Sequence, residues 1–257
     1  KDEENNLFIN LVSTNLSGKF RDLLEKTKTL VLMSGTLHSE NIIKNIFGIT
    51  DFCVVQAENL NFGSIDIVRT GKEFDCRYSN FVTKKFSRKE YLEAFSEAVA
   101  KAEKPALVHI IAFSDLPRDE EISLLSINNL IAREKLRELQ EEDKTGELVL
   151  QFKEGRNDVL FTTKCSRGID FPGDVCKSVI FTKYPNPDVS DTFWKILRKT
   201  YPAYYWDFYK DRAWRVFLQR IYRAVRSKDD HVYVLSPDVR VLEAVKNLQI
   251  KETINSY

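Results

Sequence analysis

Three polar residues late in the chain, Gln219, Arg223 and Arg226, fall at i, i+4 and i+7. On a helix that spacing puts an amide and two guanidiniums on one face. Guanidiniums are planar, always charged and bind oxyanions through paired N–H groups. Such a face therefore suits a planar, multiply charged anion, and a phosphate chain best of all. The same triplet also fits an exposed basic helix face, so support must come from elsewhere in the chain. Thr162-Thr163-Lys164-Cys165-Ser166-Arg167-Gly168-Ile169-Asp170-Phe171-Pro172-Gly173-Asp174 is a Gly-rich loop after an apolar run. Gly168 there allows close backbone approach, and Asp170 supplies a carboxylate for a ribose hydroxyl or a cationic side chain. A third stretch, Ser34-Gly35-Thr36, is a tight polar turn after Leu30-Val31-Leu32-Met33.

These residues need elements to hold them. Apolar runs predict strands at Leu30–Met33, Ser64–Arg69, Ala106–Phe113, Leu148–Phe152, Asp158–Thr162, Ser178–Phe181 and His231–Leu235. Helical spacing predicts helices around Phe20–Leu24, from Asn41 to Phe47 with a stop at Gly48, from Asp119 to Glu142, over Gln219–Arg226, and from Val239 to Asn247. A further helix follows Ser87, which with Glu90 reads as a capping box ahead of Tyr91, Leu92, Phe95, Ala98 and Val99. Strands alternating with helices give an α/β fold with a mainly parallel sheet. In such sheets ligands gather beyond the carboxyl ends of the strands, where the Ser-Gly-Thr turn and the Gly168 loop are both expected.

Composition narrows the partners. A net charge of +1 over 257 residues makes no global field for nucleic acid, so any such surface is local. No apolar run approaches the ~20 residues of a membrane span, and Lys1–Asn6 is not a signal sequence. Cys53, Cys76, Cys165 and Cys176 form no CxxC pair and no zinc or iron–sulfur spacing, so reduced structural thiols in an intracellular protein (cytoplasmic, or nuclear in a eukaryote) are expected. His38, His109 and His231 are scattered, and the last two lie in strand-like runs as core or edge histidines. Aromatic and basic residues interleave over 193–215, which reads mostly as helices packed on the sheet rather than as a base-stacking surface.

Taken together, these stretches resemble the second motor domain of a superfamily 2 DNA helicase of the XPD/DinG type. Leu-Val-Leu-Met with Ser34-Gly35-Thr36 is similar to that family's motif III, and Leu107 to Ser114 to motif IV. Ser166-Arg167-Gly168-Ile169-Asp170-Phe171 is similar to motif V, and Gln219, Arg223 and Arg226 with Asp229-Asp230 to motif VI. The likeness runs from about residue 20 to 240. It departs at Arg167, where the family usually has Glu, and at Tyr222, where it usually has Gly.

The resemblance implies a RecA-like fold: a mainly parallel sheet flanked by helices, with residues 1–36 trailing from the first motor domain, 37–257 forming the second, and a helical insert at about 187–215. It implies ATP and Mg²⁺ at a site shared with the first motor domain. Arg223 and Arg226 would act there as arginine fingers, Gln219 would position an arginine or the attacking water, and Gly168 and Asp170 would meet the nucleotide. Ser34, Gly35 and Thr36 would couple nucleotide state to the nucleic acid. It also implies a single-stranded DNA track including Ser114, Lys164, Ser166 and Arg167, with Lys195, Arg198 and Lys199 as further DNA-facing cations, and 5′→3′ movement. Repair-complex proteins are conceivable partners, and a membrane is not.

The chain has no GxxxxGK[ST] loop and no Asp-Glu-Ala-His box. In the family these features, and the iron–sulfur cysteines, belong to the first motor domain. A fragment without ATPase activity of its own is therefore the expectation, consistent with the missing initiator Met. One other reading stays open, a non-catalytic helicase-fold module that binds nucleic acid or a repair partner, which Arg167 and Tyr222 keep alive; an unrelated nucleotide-binding α/β enzyme would need a Gly-rich phosphate loop after the first strand, and none is present.

Overall fold

The computed structural model describes residues 9, 11–55, 63–163 and 168–255. In chain order the elements are α1 (Leu16–Leu24), α2 (Glu40–Asn45), β1 (Ser64–Ile67), α3 (Tyr78–Val82), α4 (Arg88–Lys101), β2 (Ala106–His109), α5 (Asp119–Leu125), α6 (Arg133–Glu142), α7 (Glu147–Lys153), β3 (Val159–Thr162), β4 (Ser178–Phe181), α8 (Thr192–Thr200), α9 (Pro202–Ile221), β5 (His231–Leu235) and α10 (Val239–Asn255). Short 3₁₀ turns lie at Phe113–Asp115 and Gly173–Val175. No helix among the described residues is long and apolar enough to cross a membrane. The chain divides into two compact units, Lys1–Gln56 with Pro185–Leu218, and Ala57–Tyr184 with Gln219–Tyr257.

The larger unit holds a five-stranded sheet in the order β1-β5-β4-β2-β3, with every described pairing parallel. The α/β class expected from the sequence is therefore present. The central strands β2 (Ala-Leu-Val-His) and β4 (Ser-Val-Ile-Phe) are buried at every position, as strands covered on both faces must be. The flanking strands β1 and β3 alternate between buried and more open positions. Leu92, Phe95, Ala98 and Val99 of α4 pack into the core with Val108, Ile180 and Leu235 of the sheet. The capping box forms: Glu90 accepts from the Ser87 N–H at 2.7 Å, and Ser87 Oγ from the Glu90 N–H at 3.2 Å.

The smaller unit is built on rings. Trp194, Leu197, Tyr205 and Phe208 form a buried cluster with Ile42 and Ile46. Trp194 meets Tyr205 and Tyr209 edge-on at 6.0 and 5.3 Å between centroids. The buried aromatics of α8 and α9 are thus core, as their sequence pattern suggested.

The structure corrects four sequence expectations. Leu30–Met33 is not a strand: it has no regular secondary structure, with Val31 71% and Met33 88% exposed. An apolar run becomes a strand only when a neighbouring strand takes its N–H and C=O groups, and none of the described strands does so. Leu148–Phe152 is not a strand but the helix α7. Asp143 starts that helix by accepting the N–H groups of Gly146 (2.8 Å), Glu147 (2.7 Å) and Leu148 (3.3 Å). The single helix expected over Asp119–Glu142 breaks at Ser126, whose φ of 53° turns the chain so that Ile127 and Leu130 reach the core. The fourth correction, the end of α9, belongs to the site.

Candidate functional site

The helix α9 stops at Ile221, so Arg223 and Arg226 do not share a helical face with Gln219. Competition for hydrogen bonds ends it. In a continuing helix the Arg223 carbonyl would accept from the Ser227 N–H, and the Tyr222 carbonyl from the Arg226 N–H. Instead the Phe171 N–H takes the Arg223 carbonyl at 2.7 Å. The Asp230 carboxylate takes the N–H groups of Arg226 (2.6 Å) and Ser227 (2.7 Å). The other Asp230 oxygen accepts from the Gly173 N–H at 2.9 Å. The loop that carries Asp170 and the turn that carries the arginines are therefore laced together by backbone and by one buried carboxylate. Ala224 and Val225, between the arginines, fill the core beneath.

The lacing brings the charged groups together. Arg223 Nη1 lies 2.7 Å from Asp170 Oδ1, and Arg226 Nη2 lies 2.5 Å from the same oxygen. Burial pushes the Asp170 carboxyl up, but the hydrogen bonds and charges of Arg226 and Arg223 outweigh it, and the group sits below its ordinary pKa. Asp230 behaves likewise: burial raises it, the N–H donors of Arg226, Ser227 and Gly173 lower it, and the net is downward. Arg223 is largely buried and Arg226 more open. Two guanidiniums converge on one carboxylate oxygen, a geometry that would also suit a phosphate oxygen. Gly168 lies in the left-handed region at φ +75°, where glycine is favoured. Gln219 sits half-buried in the last turn of α9, and Tyr222 half-buried just beyond it.

The remaining sequence-derived residues distribute as follows. Ser114 is exposed in the 3₁₀ turn that follows β2. Lys164, Ser166 and Arg167 lie outside the described residues. Lys195, Arg198 and Lys199 are exposed on α8 in the smaller unit, with the Arg198 guanidinium 6.0 Å from the ring centres of Tyr205 and Trp206. Ser34, Gly35 and Thr36 also belong to the smaller unit. Ser34 Oγ accepts from the Thr36 N–H at 3.2 Å and donates to the Thr36 carbonyl at 3.1 Å, which closes the turn.

The sequence reading missed what holds that turn. Arg215 Nε donates to the Thr36 carbonyl at 3.0 Å, and the Arg215 guanidinium contacts the His38 ring. His38 also meets Asp211 at 2.5 Å, and the second Asp211 oxygen accepts from the Ser39 N–H at 2.9 Å. Asp211 and Arg215 stand four apart on α9, which was the available signal. No group of three or more His, Cys, Asp or Glu residues that could hold a metal occurs among the described residues.

The parallel sheet flanked by helices is a RecA-like arrangement. The comparisons agree. The family described as the helicase C-terminal domain matches residues 95–255, well over half of the chain. No curated protein sequence matches. Among solved structures, an XPD helicase superposes with a TM-score of 0.63 at 18% identity, covering 92% of this chain and 44% of its own. An apo form of XPD gives 0.65 at 20% identity, covering 92% and 50%. Xpd4 of S. tokodaii gives 0.55 at 18%, covering 89% and 45%. The chain belongs to the helicase C-terminal domain family and has the fold of the XPD-type structures, of which it spans about half the length.

Proposed function

We propose that this domain serves as the second motor domain of an ATP-dependent 5′→3′ DNA helicase, contributing one wall of an ATP site that lies between two motor domains. The observation that carries the reading is the convergence of Arg223 and Arg226 on a single Asp170 oxygen. In this arrangement Asp170 keeps both guanidiniums aimed and offsets one of their two positive charges, so the cluster keeps a net positive charge for a phosphate. A phosphate presented by the other motor domain takes over the guanidiniums, and Asp170 turns to the ribose or keeps one arginine in register.

The two arginines then stabilise the charge that develops on the transferred phosphoryl group, a contribution worth roughly 10³–10⁵ in rate where such fingers are best measured. Gln219 positions an arginine or the attacking water, and Gly168 lets the backbone come close to the nucleotide. On this reading the first motor domain holds the β- and γ-phosphates and Mg²⁺, and any iron–sulfur cluster belongs to that half as well. On the same reading Ser34–Thr36, anchored by Arg215, couple nucleotide state to single-stranded DNA, for which Ser114, Lys164, Ser166 and Arg167 in the larger unit and Lys195, Arg198 and Lys199 in the smaller unit are the contact residues.

The test is DNA-stimulated ATP hydrolysis and single-strand binding in the full-length protein. Asp170→Ala releases both guanidiniums from their aimed pose, so hydrolysis falls at least tenfold while strand affinity holds. A variant that hydrolyses ATP at the wild-type rate contradicts the assignment of Asp170.

A further inference from the structure

Away from the arginine site, the larger unit contains a cavity of about 560 Å³ beyond the carboxyl ends of β2 and β4. That volume lies within the ~300–1,000 Å³ of small-ligand sites. Its wall is aromatic: Tyr78, Phe81, Phe86 and Tyr91 line it. Phe86 rests one face on Phe74, with ring centroids 4.1 Å apart. The Tyr91 hydroxyl is spent on the Thr182 carbonyl at 3.1 Å, which fixes that ring. Tyr78, by contrast, is 83% exposed, a large ring held out in water at the rim.

The polar lining has one sign to spare. Asp115 is buried and committed, accepting from Lys183 Nζ (2.7 Å), Thr182 Oγ1 (2.9 Å) and the Ala112 N–H (2.9 Å). Arg88 is paired with Glu121 at 3.1 Å. Lys84 lines the cavity without a carboxylate partner among the described residues, and its backbone sits in the left-handed region at φ 56°. Exposed Ser114 lines the cavity as well. A planar, largely apolar body with an attached anion fits such a lining.

We propose that this cavity is a nucleobase pocket: it takes one unstacked base of a single strand against its aromatic wall, with the adjacent phosphate held by Lys84 and Ser114. The proposal rests on the single-strand track of the proposed function and gives that track a base-sized subsite. Stacking contributes most of the affinity there, so the pocket selects an accessible, unpaired base and not a sequence.

The experiment uses the full-length protein and labelled oligothymidylate, with and without one abasic position. Tyr78→Ala and Lys84→Ala, both at exposed sites, each weaken wild-type binding about tenfold. The abasic strand binds wild type about as weakly as Tyr78→Ala binds the intact strand, and the two losses do not add. A strand carrying 5-iodouracil, irradiated on wild-type protein, crosslinks to the peptide spanning residues 78–91. Crosslinks only elsewhere, or full affinity in both variants and for the abasic strand, overturn the pocket and leave the motor reading standing. No binding of oligothymidylate at all overturns the single-strand track itself. Competition by thymidine monophosphate at the strand's own affinity overturns the strand assignment in favour of a free-nucleotide site.

Discussion

Replacing Asp230 probes the joint between the two loops of the site. Asp230 is 6% exposed, and its carboxylate accepts three backbone N–H groups, two on one oxygen and one on the other. Asp230→Asn keeps an oxygen for Arg226 and Ser227 but turns an NH₂ toward the Gly173 N–H, leaving a donor facing a donor. One unmet buried donor and the lost charge cost about 1.5 kcal/mol. Asp230→Ala removes all three acceptors and costs about 3 kcal/mol, less than three full charged bonds because water reaches exposed Arg226 and Ser227. The assay is urea unfolding followed by circular dichroism, with the midpoint shift read at constant slope. Its pH dependence gives a second reading. The folded-state pKa of Asp230 is depressed, so its contribution is fully present above the ordinary carboxyl value of about 3.9 and is lost as pH falls through the folded value. The gap between wild type and Asp230→Ala therefore holds at neutral pH and closes in acid. Equal stability of all three proteins at pH 7, or a gap that widens in acid, refutes the reasoning.

Three other outcomes follow from the same geometry. A Cβ on Gly63 would sit 1.8 Å from the Asp230 carbonyl oxygen, an overlap no rotamer relieves, so Gly63→Ala should cost at least about 3 kcal/mol in the same urea assay. Arg215→Ala removes the donor to the Thr36 carbonyl, so amide exchange at residues 34–38 should accelerate at least tenfold while exchange in the β-sheet stays as in wild type. Burial raises the thiols of Cys76 and Cys176, the latter to about 12, while Cys53 is exposed; a thiol reagent at neutral pH should modify Cys53 in the native state and reach Cys76 and Cys176 only on unfolding.

Much of the fold was legible because buried parallel strands announce themselves. Ser178–Phe181 and His231–Leu235 are uninterrupted or nearly uninterrupted apolar runs, and both are strands over those spans. Leu148–Phe152 has the same look but follows Asp143, whose carboxylate captures three N–H groups and commits the segment to helix. Leu30–Met33 has strand composition without a strand partner, and composition cannot supply one. In the site, the types Arg223, Arg226 and Asp170 were readable, but the reason they meet was not. Helical spacing suggested one shared face, whereas α9 ends at Ile221 and a turn pinned by Asp230 delivers both guanidiniums. The anchoring of Thr36 by Arg215 joins residues 179 positions apart; the i, i+4 spacing of Asp211 and Arg215 marks a charged pair on α9 but not the distant turn it holds.

The central claim is that Arg223 and Arg226 act on a phosphate. Single-turnover ATP hydrolysis in the full-length protein, with saturating single-stranded DNA, tests it most directly. For Arg223→Ala and Arg226→Ala the expected result is a fall in hydrolysis of roughly 10³-fold or more with strand affinity preserved. Hydrolysis at the wild-type rate in both variants would contradict the claim.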